Sequence, residues 1–152
     1  YNIEAFAAGP TENPGMSRLT IDVIADEPHT ELLCNQLSKL YPVRSVKRLS
    51  TTNSIYRELM LIKVSAEGGQ KRNDIIQLAN IFRAQIIDVS LETLTLVVTG
   101  DAEKLKAIEN ILGEFKILEI ARTGVVAIER GTATINDESK ERGEFNYGNN
   151  VL

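Results

Sequence analysis

An internal repeat constrains this chain more than any other feature. Leu19-Thr20-Ile21-Asp22-Val23 returns as Leu94-Thr95-Leu96-Val97-Val98, and Asp26 returns at the same offset as Asp101. The helices and strands that follow the two copies also match, and residues 3–7 correspond to residues 86–90. A repeat on this scale means one supersecondary plan used twice. In the second copy the plan is legible as β-α-β-β-α-β. In the first only β-β-α-β is found, so the expectation is a chain that starts inside its first domain, about 25 residues after that domain's opening.

The first copy opens with two strands. In residues 2–8, Ile3, Ala5 and Ala7 alternate with Asn2, Glu4 and Phe6. Leu19, Ile21 and Val23 form a second run with the period of a half-buried strand. Between them Gly9, Pro10, Asn13, Pro14 and Gly15 supply turn chemistry, so the strands should be antiparallel neighbours. The connecting loop is longer than a hairpin needs, which marks it as the functional centre. Asp26 can cap a helix with Leu32, Leu33, Leu37 and Leu40 on one face, ended by Tyr41-Pro42. Val43, Val46 and Leu49 predict a short strand, and Ser50–Ser54 is polar.

The second copy begins with a strand over 57–65, stopped by Gly68-Gly69. A helix over about 70–83 should bury Ile75, Ile76, Ala79 and Phe82. Strands over 85–90 and 93–99 follow. A helix capped at Gly100-Asp101 presents Leu105, Ile108, Leu112 and Phe115. Strand returns over 117–122 and 125–128, broken at Gly124. The fold class is therefore α+β: two ferredoxin-like βαββαβ domains in tandem, each an antiparallel four-stranded sheet with helices on one face, the first partial. The expected boundaries are a partial domain over 1–50, a linker over 51–56, a domain over 57–130 and a flexible tail over 131–152.

Composition narrows the function. A net charge of −4 disfavours a general nucleic-acid binder. The RNA-recognition motif shares the βαββαβ order, but it stacks bases on aromatic central strands, and 59–64 and 94–98 are aliphatic here. No apolar run approaches the length of a membrane span. Cys34, the single cysteine, forms no internal disulfide and reads as a reduced helix thiol. His29, also single, reads as a solvated first-turn residue, with no second cluster of ligand type to hold a metal. Gly68-Gly69 ahead of a helix reads as a plain loop in the absence of a phosphate-loop pattern. No acid/base pair or nucleophile constellation is visible, so no catalytic residue is assigned.

Several motifs in order carry a resemblance. Tyr1-Asn2-Ile3-Glu4, Gly9-Pro10-Thr11 with Pro14-Gly15-Met16-Ser17-Arg18, and the run from Arg57 to Val64 resemble the regulatory subunits of acetolactate synthase. Phe82-Arg83-Ala84, Ile87-Asp88-Val89-Ser90 and Glu119 to Gly124 do so too, and the likeness spans about 1–131. The resemblance implies a non-catalytic protein with an N-terminal ACT domain. Such a protein would bind and activate a catalytic subunit and confer feedback inhibition by valine or another branched-chain amino acid. Thiamine diphosphate, magnesium and FAD would belong to that partner, leaving no cofactor on this chain. ACT domains would form a homodimer holding the effector, with Asn2, Ile3, Phe6, Ala7 and Gly9 as effector-binding residues. Asn2 offers donor and acceptor atoms, while Phe6, Ala7 and Gly9 leave an apolar slot. Thr11, Pro14, Gly15, Met16, Ser17 and Arg18 would dock the catalytic subunit. The location would be cytoplasmic, or the plastid stroma in a plant or alga, with no nucleic acid or membrane as partner. An ACT-type small-molecule sensor serving a different enzyme is the alternative.

Overall fold

The computed structural model describes residues 1–136. Its elements are β1 (Asn2–Pro10), β2 (Ser17–Ile24), α1 (Glu27–Ser38), β3 (Ser54–Ser65), α2 (Gly69–Ile81) and β4 (Gln85–Val89). They continue with β5 (Thr93–Gly100), α3 (Ala102–Leu112), a 3-10 turn (Gly113–Phe115), β6 (Ile117–Arg122) and β7 (Val126–Glu129). The chain folds as two compact units. One is Tyr1–Tyr56 together with residues 125–136, and the other is Arg57–Gly124. The second division thus falls at Gly124, ahead of the expected boundary at 130.

The unit over Arg57–Gly124 carries a sheet of strand order β4-β5-β3-β6, antiparallel at every step. That order with two intervening helices is the ferredoxin-like βαββαβ arrangement. Alternation decides which face is covered. Met60, Ile62 and Val64 of β3 and Leu94, Leu96 and Val98 of β5 are fully buried, as strand period requires of one face. They pack in one cluster with Ile75 and Ala79 of α2 and Leu105, Ile108 and Leu112 of α3, so both helices lie on that face. Asp101 caps α3, its carboxylate accepting from the Lys104 backbone N–H at 2.9 Å. Phe82 and Phe115 pack against the cluster as expected. Ile76 does not: it is exposed, because Ile75 and Ala79, four apart, already occupy the inward stripe of α2.

The other unit is built on the β1–β2 hairpin, a two-stranded antiparallel sheet. Asp26 caps α1 as the sequence predicts, accepting from the His29 N–H at 3.0 Å. The buried face of α1 differs from expectation. Leu32 and Leu40 are exposed, and Cys34 is the buried centre, packed on Val46 with Leu37 and Val43 around them. Helix α1 ends at Ser38, earlier than the Leu40 pattern implied.

The strand expected over 43–49 does not form. Val46 is fully buried there, but no neighbouring strand accepts the backbone of this segment. It is held instead by side chains: Lys47 pairs with Glu129, Arg48 with Glu27, and Ser45 Oγ donates to the Ile135 carbonyl at 3.4 Å. Two further boundaries move. Strand β3 begins at Ser54, inside the expected 51–56 linker, and Ser54 is buried. Residues 131–136, expected to open a flexible tail, are tied down. Lys47 Nζ donates to the Thr134 carbonyl, and Asn136 Nδ2 donates to Glu12 at 3.3 Å. The rest of the expected tail lies outside the described residues.

Candidate functional site

The β1–β2 connection is a closed, hydrogen-bonded loop. Asn13-Pro14-Gly15-Met16 forms a β-turn, the Met16 N–H donating to the Asn13 carbonyl at 3.1 Å. Proline at its second position and a glycine at φ +79° at its third are what a type II turn demands. Thr11 closes the loop twice, its N–H and its hydroxyl both donating to the Met16 carbonyl at 3.0 Å. The Asn13 N–H in turn donates to Thr11 Oγ1 at 3.2 Å. A loop this well bonded presents a fixed surface.

That loop forms one wall of a groove of about 830 Å³ contained within the hairpin unit. Thr11, Gly15, Met16, Ser17 and Arg18 line it, five of the six residues expected at a docking site. Pro14 shapes the turn but does not line the groove. The facing walls come from Pro42–Ser45, from Ile128 and Glu129, and from Gly131 and residues 133–136. Leu19, Val43, Ile128 and Ile135 give it apolar surface. The pair between Lys47 and Glu129, with both side chains largely buried, fixes the β7 wall to the 43–48 segment. Sequence reasoning missed these walls, because nothing local in residues 42–45 or 128–136 announces contacts so distant along the chain.

The residues expected to bind an effector lie elsewhere, along β1, and none of them lines the groove. A register shift between Ile3 and Ala5 breaks the simple alternation. Ile3 pairs with Val23 and Phe6 with Ile21, whereas Asn2 pairs with Ile24 and Ala7 with Thr20. Directly paired residues share a face. The bulge therefore brings Asn2, Ala7 and Gly9 to one face and sends Ile3 and Phe6 to the other, not the arrangement alternation predicts. Ile3 and Phe6 are both more than half exposed. The Asn2 side chain donates to Glu4 at 3.3 Å, and a Cβ added at Gly9 would meet nothing within 4 Å. Space for a ligand exists at that position.

The titratable groups near α1 have clear causes. A backbone hydrogen bond from His29 holds the Asp26 carboxyl below its ordinary value. The Arg48 side chain, donating to Glu27 through both terminal amino groups, does the same for Glu27. Burial pushes the Cys34 thiol up, the opposite of what a nucleophile needs. Among the described residues no group of three or more His, Cys, Asp or Glu could hold a metal ion. None of the described helices is long and apolar enough to cross a membrane.

Comparison with known proteins finds two family matches along the chain. Residues 1–45 match the family described as AHAS small subunit-like ACT domain, and residues 57–131 the small subunit of acetolactate synthase. The acetolactate synthase small subunit of Mycobacterium leprae is 47% identical over 131 residues, 86% of this chain and 77% of that one. The chloroplastic acetolactate synthase small subunit 2 of Arabidopsis thaliana is 42% identical over 130 residues, 86% of this chain and 27% of that protein. Among solved structures, the small subunit from Thermotoga maritima superposes with a TM-score of 0.78 at 38% identity, covering 87% of this chain and 82% of that one. The likeness runs through the hairpin, its loop and the ferredoxin-like unit in one unbroken order, and by it this chain belongs to the acetolactate synthase small-subunit family.

Proposed function

We propose that this chain binds the catalytic subunit of acetolactate synthase, raises its activity, and makes it sensitive to valine or another branched-chain amino acid. The observation that carries this reading is the match to the small-subunit family across both units. The chain's own chemistry supports a regulator. The buried thiol is disarmed, the carboxylates near α1 are engaged in capping and an ion pair, and the hydrogen-bonded β1–β2 loop offers a fixed surface suited to docking. Thiamine diphosphate, magnesium and FAD would sit on the catalytic partner.

Regulation then requires that the effector prefer one arrangement of the assembly over another, since equal affinity shifts nothing. The β1–β2 hairpin supplies the effector surface in this reading, at a homodimer contact. Asn2, Ala7 and Gly9 share one face, suited to the ammonium and carboxylate of an amino acid. Ile3 and Phe6 share the other, suited to apolar contact between copies. The test is a valine titration of the reconstituted enzyme, following acetolactate formation. Valine should inhibit only when this chain is present, and Asn2→Ala should weaken inhibition while leaving activation intact. Inhibition unchanged by Asn2→Ala would remove the hairpin from the effector site. Lack of valine inhibition with the unaltered chain would contradict the feedback role.

A further inference from the structure

Arg18 stands out in the groove. It is half-buried, its Nε is fully buried without a hydrogen-bond partner, and its side chain has no ion pair among the described residues. A buried donor left without a partner is costly and calls for an explanation. The other charges around the groove sharpen the point. Glu129 is taken by Lys47, and Glu12 accepts from Asn136. Arg44, exposed at the rim, has no partner among the described residues. With Glu129 neutralised by Lys47, two arginines stand against the one remaining acid, Glu12, so the complement of this groove is negative.

The walls indicate the kind of occupant. Glu12, Asn13, Pro42, Arg44 and Gly131 are all exposed at the rim. A groove with so open a rim would not enclose most of a small ligand's surface, as small-molecule pockets do. It suits a protein segment laid across Leu19, Val43 and Ile135 with one side chain directed inward. We propose that the groove receives an acidic segment of the catalytic subunit, a carboxylate side chain of which is held in the fork of the Arg18 guanidinium with Arg44 at the rim. Arginine is the residue suited to this, because its planar donors match a carboxylate in pairs. The proposal rests on the regulatory reading above and names the chemistry of its docking contact.

Binding of the purified full chain to the purified catalytic subunit tests it, by biolayer interferometry at several salt concentrations. Arg18→Ala should raise Kd by roughly tenfold or more, the loss expected for a charged hydrogen bond at an interface. Arg18→Lys should recover part of that loss, and affinity should fall with salt in the unaltered chain more steeply than in Arg18→Ala. Arg44→Glu, at an exposed position that folding tolerates, should also weaken binding. Unaltered affinity in both Arg18→Ala and Arg44→Glu would overturn the groove while leaving the regulatory reading standing. No binding by the unaltered chain would overturn both. Thermal stabilisation of the unaltered chain by succinate that is lost in Arg18→Ala, with subunit affinity unchanged, would overturn the protein partner in favour of a small dicarboxylate.

Discussion

Single side chains decide how the ends of α1 and the hairpin loop are held. Asp26 caps α1 and its carboxyl is depressed, so the ionised form is favoured by folding. A depressed carboxyl contributes stability that is present above its unfolded value and is lost as pH falls through the folded one. Thermal unfolding midpoints should therefore drop as pH is lowered below about 4. Asp26→Asn keeps a capping acceptor but cannot titrate, and it should flatten that acid limb. Equal acid sensitivity in the two proteins would contradict the assignment. Cys34 behaves oppositely. Its burial and raised value predict that a thiol reagent such as DTNB reacts slowly with the native chain and quickly in denaturant. Gly15 is the residue the loop cannot replace freely. At φ +79°, with nothing near an added Cβ, Gly15→Ala should cost about 1 kcal/mol from backbone strain alone, seen as a lower urea midpoint.

Elements were legible where periodicity, caps and turns agreed. The hairpin, α3 with its Asp101 cap, and the alternation of Leu94, Leu96 and Val98 all stand where the sequence places them. The same alternation picks out the core. Ile108 is fully buried between α3 and the sheet, and Ile108→Ala should cost roughly 2–5 kcal/mol by chemical denaturation. Ile76→Ala, on the exposed side of α2, should cost far less. What periodicity could not reveal was tertiary. The apolar spacing of Val43, Val46 and Leu49 reads as strand, but a strand also needs a neighbour to bond. The bulge at Ile3 and Ala5 redistributes the effector candidates between faces, and no glycine in residues 3–5 announces it. The groove walls at 42–45 and 128–136 come together through a long-range ion pair and carbonyl contacts. Only the loop side, Thr11 to Arg18, could be found in advance, through its turn residues and its surplus length.

For the molecule as a whole, the two units differ in how much core each buries. The ferredoxin-like unit has a full sheet and a twelve-residue buried cluster, while the hairpin unit has a two-stranded sheet and a buried core of Cys34 and Val46. A small core gives low local stability, so amide exchange should be slow in β3 and β5 and faster in β1 and β2. The unit that carries the proposed docking loop and effector candidates is thus the one whose equilibria a ligand would most easily move. Family membership leads to the claim that the chain works on another protein. The most direct test adds increasing amounts of the purified chain to a fixed amount of the catalytic subunit, without valine, and follows acetolactate formation. The rate should rise and saturate, levelling off near stoichiometric addition. A rate that does not change at any ratio would contradict the claim.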